Sequence, residues 1–230
     1  MRSDLPKVLH QLAGKSLVRH VVDNIRSAGI DEIAVVVGYR GESVIAELGQ
    51  SVNYAWQREQ LGTGHAVLQA AEYLEGYAGT VLVACGDAPL ISSASFSSLA
   101  AAVRDGVKAA VLTMQLPEPR GYGRIIRDAE GAVRAIVEEK DASETERAVT
   151  EVNTGTYVFN APILFDALGR IGNNNAQNEY YLTDVIKYIN SHGFSVAGIP
   201  LGDPGEGRGV NSPEELALLE KEFTQAGSRS

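Results

Sequence analysis

Two continuous apolar runs constrain the fold of this chain more than any other feature of its sequence. They are IAVVVG at residues 33–38 and GTVLVACGD at residues 79–87. An unbroken apolar run that ends at glycine is typical of a strand covered on both faces, as in a parallel sheet. Helical patterns alternate with these runs, beginning at Ser16 to Ala28, where Leu17, Val18, Val21, Val22 and Ile25 share one face and Gly29 ends the pattern. This alternation predicts a doubly wound α/β sheet.

The second half of the chain changes character. GRIIRDAEGAVRAIVEEK predicts two strands joined around Glu130 and Gly131, and VTEVNTGTYVFN predicts a further strand. Helices return at YYLTDVIKYINSHG and SPEELALLEKEFTQA. We therefore expect a mixed, mostly parallel sheet with a smaller β-rich lobe in one compact unit, divided as residues 1–115, 116–210 and a C-terminal helix over 211–230.

Composition limits the partners of the chain. Its net charge is −9, which argues against a nucleic-acid binder, since such proteins present a basic face. The single cysteine, Cys85, excludes an intramolecular disulfide, and the four histidines lack metal-ligand spacing. No apolar run approaches the roughly 18–20 residues of a membrane helix, so we expect no membrane partner and a cytoplasmic setting.

The residues that follow each strand are the candidates for ligand binding, because ligands sit at the carboxyl ends of strands in open α/β sheets. Asp87 follows the apolar strand predicted over Thr80 to Cys85. A carboxylate there suits Mg²⁺, which takes few protein oxygens and completes its shell with phosphate and water. A turn or helix-capping aspartate before Pro89 would look the same.

Other polar stretches support more than one interpretation. In QREQLGTGHA, Gly62 and Gly64 flank Thr63, and Gln57 offers an amide that could recognise a base edge; a helix with Thr63 as its N-cap fits equally well. Gly123 fits a turn, and Asn153 fits a β-bulge. Glu138 fits a position that faces a cleft or one on a solvated edge. Ser212 is a probable N-cap, with Pro213 at the first helical position.

Taken together, these stretches resemble the uridylyltransferase domain of the bacterial N-acetylglucosamine-1-phosphate uridylyltransferases. SDLPKVLH, EQLGTGHA, GDAPL, GYGRI, EVNTG, NNNAQNEYYLTD and GVN occur in the order and spacing of that family, over essentially the whole chain. The resemblance implies a Rossmann-like nucleotide-diphospho-sugar transferase fold, with residues 1–115 mostly binding nucleotide and residues 116–210 mostly binding sugar.

The resemblance also implies roles for individual residues. Lys7 and Asp87 are the expected catalytic pair, with Lys7 on phosphate, and Asp87 and Asn211 are expected to bind Mg²⁺. The residues expected to contact substrate are Lys7, Gln57, Gly62, Thr63, Cys85, Gly86, Asp87, Gly123, Glu138, Asn153 and Asn211. Glu139 falls where the family varies and receives no role.

The sequence departs from the family pattern in several places. Cys85 stands where an aromatic residue is frequent, and Asn178 stands where a small residue is expected. The family's opening strand and glycine-rich phosphate loop would precede Met1, and its β-helix acetyltransferase repeats would follow residue 230. We expect a chain made without the opening strand to be unstable and to bind UTP weakly, and a chain without the β-helix to be a monomer.

The implied reaction joins UTP and N-acetylglucosamine-1-phosphate to give UDP-N-acetylglucosamine and pyrophosphate with Mg²⁺, for cell-wall precursor synthesis. Two alternatives remain at this point. One is a transferase of the same fold that uses another base or sugar. The other is a non-catalytic chain that binds ligand weakly, because the glycine-rich loop is not in this sequence.

Overall fold

The computed structural model describes residues 5–210 and 212–227, which form ten strands and eight α-helices. The strands are β1 (Gln11–Leu12), β2 (Lys15–Ser16), β3 (Ala34–Val37), β4 (Asn53–Trp56), β5 (Thr80–Val83), β6 (Val107–Gln115), β7 (Arg124–Arg127), β8 (Val133–Val137), β9 (Glu151–Asn160) and β10 (Ser195–Pro200). The helices are α1 (Leu17–Ser27), α2 (Gly41–Leu48), α3 (Thr63–Leu68), α4 (Ser93–Ala102), α5 (Glu144–Arg147), α6 (Ala161–Leu168), α7 (Asp184–Ser191) and α8 (Pro213–Gly227). Short 3₁₀ turns cover Lys7–Leu9, Ala71–Leu74 and Pro204–Gly207.

One long strand, β9, organises the larger sheet. The strand order is β10-β6-β9-β7-β8, and β5 also pairs with β9. β9 runs antiparallel to β5, β6 and β7, whereas β10 and β6 are parallel. The α/β class and the mixed sheet are therefore confirmed, but the expected predominance of parallel pairs is not found among the described strands, because β9 is shared by three neighbours that all run against it.

A second, smaller sheet lies apart from the first. β3 and β4 form a two-stranded parallel sheet, and among the described strands they pair only with each other. Helix α1 joins the two parts, since Val21 and Ile25 pack in the core of the large sheet while Val18 and Val22 pack with Val37 of β3.

The start of helix α1 follows the prediction from its sequence. Ser16 is the N-cap, and its side chain accepts a hydrogen bond from the backbone N–H of Arg19 at 3.3 Å. The five apolar positions of its predicted face are all buried. The helix ends before Gly29, whose φ of 83° is a conformation that side-chain-bearing residues rarely adopt.

Several predicted boundaries are wrong. The helix expected at Thr63 is short and stops at Leu68, and the strand expected to reach Cys85 stops at Val83. The helix expected from Tyr180 starts at Asp184. The carbonyl of Tyr180, which would accept the N–H of Asp184 in a helix, accepts the backbone N–H of Gly64 at 2.8 Å instead.

Six elements received no assignment from the sequence: the strands β1, β2, β6 and β10 and the helices α5 and α6. β6 is the most buried strand of the sheet, with residues 109–114 all buried. The hairpin of β7 and β8 is confirmed, with Gly131 in its turn at φ 84°. The division into lobes stays a prediction, and the large sheet takes strands from both residues 1–115 and residues 116–210.

At the C-terminal side, the expected helix start at residue 212 agrees with the structure. The hydroxyl of Ser212 accepts a hydrogen bond from the backbone N–H of Glu215 at 3.1 Å, and Pro213 is the first residue of α8. Within the described part of the chain, no helix is both long and apolar enough to cross a membrane.

Candidate active site

An opening beside β9 gathers four of the predicted site residues, Cys85, Gly123, Glu138 and Asn153. Along one edge of β9, Val83 of β5 lies opposite Tyr157, and Arg124 of β7 lies opposite Val152. The stretch of β9 around Gly155 lies between these two neighbours. The residues that follow β5 and those that precede β7 therefore converge on this stretch from opposite directions.

Gly123, Glu138 and Asn153 meet at this opening. The backbone N–H of Asn153 donates to the carbonyl of Gly123 at 2.9 Å. A Cβ atom added at Gly123 would lie 3.4 and 3.5 Å from the two carboxylate oxygens of Glu138 and 3.1 Å from Ile136. The glycine therefore leaves uncrowded space beside the carboxylate, and three residues taken from three strands or strand ends share one small region.

The side chain of Asn153 is held at both ends of its amide. Its Oδ1 accepts the backbone N–H of Gly155 at 2.9 Å, and its Nδ2 donates to the hydroxyl of Tyr157 at 2.6 Å. Because Oδ1 accepts the Gly155 N–H, the Nδ2 end of the amide is the one that faces Tyr157. Tyr157 is almost fully buried, and this burial raises the pKa of its hydroxyl well above the ordinary value, so Tyr157 stays protonated.

Glu138 is mostly buried and has one side-chain partner, Thr183. The Thr183 hydroxyl donates to Glu138 Oε1 at 3.1 Å. Burial raises the pKa of Glu138, the Thr183 bond opposes this, and the nearby carboxylates of Asp141, Asp184 and Glu179 raise it further. The sequence analysis did not single out Thr183 or Tyr157; both lie inside quoted motifs, which was the only available signal.

Cys85 and Gly86 follow β5. They pack between β9 and the 3₁₀ turn at Lys7–Leu9. Gly86 lies against Val8, where an added Cβ would be 3.3 Å from a methyl group of the valine. Gly155 has a φ of 77°, and a Cβ there would lie 2.9 Å from the sulfur of Cys85. The Cys85 side chain is exposed, and its Sγ lies 3.5 Å from the carbonyl oxygen of Gly155.

Lys7 and Asp87 form an ion pair between the ammonium group and Oδ2. The side chains are 36% and 23% exposed, so both charges remain accessible to a ligand. The backbone carbonyl of Asp87 accepts the N–H of Val210 at 3.0 Å, which holds the chain just before position 211 beside it. Asn211 itself lies outside the described residues.

The donor set around Asp87 is compatible with Mg²⁺ but small. Among the described residues, no group of three or more His, Cys, Asp or Glu side chains could hold a metal ion. Mg²⁺ commonly uses one or two protein carboxylates and takes its remaining ligands from substrate phosphates and water. One accessible carboxylate fits a metal that arrives with a nucleotide better than a permanently bound metal.

The glycines of the QLGTGHA stretch serve a protein contact. Gly62 has a φ of 109°, and a Cβ there would lie 2.6 Å from the carbonyl oxygen of Tyr180. Thr63 is the first residue of α3 and not its N-cap, since its Oγ1 accepts the backbone N–H of Leu182 at 3.1 Å. The loop therefore docks on residues 180–182, directly before the Thr183 that contacts Glu138.

Gln57 bonds within the same loop. Its Nε2 donates to the carbonyl of Gly62 at 3.0 Å and lies 3.1 Å from Nδ1 of His65. His65 was not predicted, although it belongs to the quoted motif. Gln57, Gly62 and Thr63 are thus tied to His65 and to residues 180–182, and Lys7 and Asp87 are tied to each other by their ion pair.

Comparison with known proteins shows the family of the chain. The family described as Nucleotidyl transferase matches residues 2–200. Bifunctional protein GlmU of Geobacillus sp. (strain WCH70) is 49% identical over 222 residues, which cover 96% of this chain and 48% of that relative. Bifunctional protein GlmU of Halalkalibacterium halodurans is 47% identical, with 96% and 49% covered, and that of Pelotomaculum thermopropionicum is 48% identical, with the same coverage.

The chain thus spans about half the length of these curated relatives. The family match extends from the segment that carries Lys7, through the residues after β5 and the opening beside β9, to the end of β10. The resemblance inferred from the motifs is confirmed at this level: the chain belongs to the nucleotidyl transferase family.

Proposed function

We propose that this chain transfers UMP from UTP to N-acetylglucosamine-1-phosphate, with Mg²⁺, giving UDP-N-acetylglucosamine and pyrophosphate. The observation that carries the proposal is the convergence of Gly123, Glu138 and Asn153 on the opening that Cys85 and Asp87 border. Membership of the nucleotidyl transferase family supports the reaction type. The motif resemblance supports the choice of uridine and N-acetylglucosamine.

The reaction needs positioning and charge neutralisation more than proton transfer. An oxygen of the sugar phosphate attacks the α-phosphorus of UTP and forms a new P–O bond. The bond between the α-phosphorus and the bridging oxygen to the β-phosphate breaks, and pyrophosphate leaves with that electron pair. Because the attacking phosphate is already ionised, no general base is required, and in-line alignment supplies much of the rate.

Each charged residue at the opening has a distinct task in this scheme. Mg²⁺, when bound, would neutralise phosphate oxygens, and Asp87 with Asn211 would hold it. Lys7, released from Asp87, would place its ammonium on a phosphate as a point charge. Since the chain carries a net charge of −9, a triphosphate finds few other cations to offset its field.

The sugar half of the site offers polar groups on a fixed frame. Asn153 has one amide hydrogen and one oxygen lone pair left after its two protein bonds, so it can both donate to and accept from an N-acetyl or hydroxyl group. Glu138 can accept hydrogen bonds from sugar hydroxyls. Gly123 keeps the space beside Glu138 open.

The test is a pyrophosphate-release assay with UTP, N-acetylglucosamine-1-phosphate and Mg²⁺. We expect release only when both substrates are present, with slower release from glucose-1-phosphate or from other nucleoside triphosphates. Equal or faster release with another base or sugar would replace this proposal with another transferase of the family. Tight binding of both substrates without any release would identify a non-catalytic chain.

A further inference from the structure

Arg124 is a charged residue sealed inside the sugar-side lobe. Its exposed fraction is 2%, the lowest of any ion-paired side chain in the described part of the chain. Burying a guanidinium is costly unless its donors are satisfied. All three of its nitrogens find acceptors: Nη2 bonds Glu139 Oε2 at 2.6 Å, Nη1 bonds the carbonyl of Tyr122, and Nε bonds the carbonyl of Arg147 at 3.4 Å.

These acceptors adjoin the proposed sugar-binding residues. Tyr122 precedes Gly123, and Glu139 follows Glu138. The same carboxylate oxygen of Glu139 also lies 3.4 Å from the backbone N–H of Gly121, on the other side of the loop. The Arg124 bond lowers the pKa of Glu139 below its usual range, so the pair is ionised at neutral pH.

Strand pairing cannot hold these residues without help. β7 begins at Arg124 and β8 ends at Val137, so Gly123 and Glu138 lie just beyond the paired part of the hairpin. Gly123 is tied to Asn153 through its carbonyl, and Glu138 is tied to Thr183 through its side chain and to Asp141 and Ala142 through its carbonyl. Arg124 and Glu139 together bond across this open end, Arg124 to Tyr122 and Glu139, and Glu139 also to Gly121.

We propose that Arg124, with Glu139 as its partner, is a positioning residue that sets the spacing between Gly123 and Glu138 and thereby the preference for the sugar. This inference rests on the proposed function. Arg124 touches no substrate in this scheme. Its planar donors reach three acceptors at once, which a lysine, with its single ammonium, cannot reproduce.

The hairpin contains its own control. Arg127, three residues along the same strand, makes a two-point bond to Glu151, with Nε–Oε2 at 2.8 Å and Nη2–Oε1 at 2.6 Å. The Arg127–Glu151 pair joins β7 to β9. Arg127 also donates to the carbonyl of Gly131, in the turn at the end of the hairpin away from Gly123 and Glu138. If the two pairs acted only through stability, breaking either of them would change sugar binding alike. The proposal assigns the positioning of the sugar site to the Arg124–Glu139 pair alone.

The experiment compares R124K with R127K, and E139Q with E151Q. Calorimetry on each chain measures the dissociation constants of UDP and of UDP-N-acetylglucosamine, which differ only in the N-acetylglucosamine attached to the β-phosphate. Their ratio isolates the sugar contribution, and thermal unfolding records stability. We expect R124K to reduce the preference for the sugar nucleotide about tenfold, and E139Q to reduce it by a smaller factor, with UDP affinity retained.

R127K and E151Q should lower the melting temperature but keep the preference of the unmodified chain. If R124K fails to fold, E139Q decides the question, because Glu139 is 31% exposed and its loss leaves no buried cavity. An unchanged preference in E139Q and R124K, or an equal loss in the Arg127 pair, overturns the inference alone. Equal affinity of the unmodified chain for both ligands, or no binding at all, overturns the proposed function and the inference with it.

Discussion

The sugar side and the nucleotide side of the opening are built in different ways. On the sugar side, Gly123, Glu138 and Asn153 lie on or directly beside β7, β8 and β9, three strands joined by backbone pairing. On the nucleotide side, Lys7 is in a 3₁₀ turn, and Gln57 is in a loop after β4, a strand that the described pairings join only to β3.

Because the two sides are built differently, they differ in how far each is preformed before a ligand binds. A site held by neighbouring strands and by the Arg124–Glu139 ion pair keeps its shape without ligand, and its polar groups are oriented before binding. A site held by side-chain contacts must exchange them: Lys7 bonds Asp87, and the Gln57 amide bonds its own loop. We therefore expect changes on the nucleotide side to affect turnover most and changes on the sugar side to affect affinity and stability.

The largest effect is expected from Asp87→Asn. Removing the charge that would hold Mg²⁺ should lower pyrophosphate release about 10²–10³-fold, the usual loss when one transition-state charge partner is removed. The backbone bond from Val210 remains, so the melting temperature should stay within the range of other surface changes. Asp105→Asn, at an exposed turn, is the control and should keep full activity. Normal Mg²⁺-dependent release by Asp87→Asn would remove this residue from the site.

Gly155→Ala tests the junction between the two sides. The left-handed backbone and the 2.9 Å approach to Cys85 together should cost about 2–4 kcal/mol of unfolding free energy. In a Cys85→Ala background the sulfur is gone, so the same change should cost only the backbone part, about 1–2 kcal/mol. Denaturant unfolding of the four chains gives the difference. Strictly additive costs would show that the two residues do not press on each other.

Asn153→Ala tests the preformed sugar side. An unpaired buried polar group costs about 1–3 kcal/mol, so we expect about a 5- to 150-fold loss of sugar-phosphate affinity, with much less change for UTP. The control is Asn160→Ala on the same strand, where the side chain makes no capping bond. Calorimetry that showed equal losses for both ligands would contradict the assignment of Asn153 to the sugar.

Glu138→Gln should raise stability while it weakens sugar binding. Because burial raises the pKa of Glu138 in the folded chain, its charged form is disfavoured there, and the folded chain loses stability as pH rises from the ordinary value through the raised one. The variant, which cannot ionise, should gain most over the unmodified chain above that window and nothing at low pH. A shift of about 2–4 °C corresponds to 1 kcal/mol in a chain of this size, and we expect no more. Melting curves from pH 4 to 8 would refute this if the gain were constant.

The smallest effect is expected on metal affinity in Lys7→Ala, where removing a side chain should increase binding. Without the ammonium, Asp87 loses its partner, so the chain should bind Mn²⁺ alone about two- to fivefold more tightly, a range set by the modest energy of accessible ion pairs. UTP binding should weaken at the same time. Lys15→Ala, which breaks a comparable pair with Asp23, is the control. Weaker Mn²⁺ binding in Lys7→Ala would show that the two residues do not compete.

The sequence allowed the local features of the fold to be predicted, but not all of its pairing. The α1 stripe, the β7–β8 hairpin and the Ser212 start of α8 follow from short-range patterns of apolar residues, glycine and caps. β6 received no assignment because an alanine-rich apolar run fits a buried helix and a buried strand equally well. The antiparallel direction of β9 depends on partners 40 to 80 residues away, which no local pattern records.

The same limit applies to the site. The motif resemblance named Gly123, Glu138 and Asn153, but their adjacency comes from the register of β7 with β9. Thr183 bonds Glu138, Tyr157 bonds Asn153 and His65 lies beside Gln57. Residues that only support a site residue have no fixed spacing from it in the sequence. Gly62 and Gly64 were attributed to ligand approach or a cap, whereas the backbone of residue 180 occupies the space next to them.

The position of β9 also determines when the site can form during synthesis. β5 and β6 pair with β9, so both strands leave the ribosome well before the partner that lies between them. At about 5–20 residues per second, the 77 residues from the end of β5 to the end of β9 take roughly 4–15 s to make. For that time the apolar β5 segment has no described strand to pair with, so the opening beside β9 forms only after residue 160 emerges.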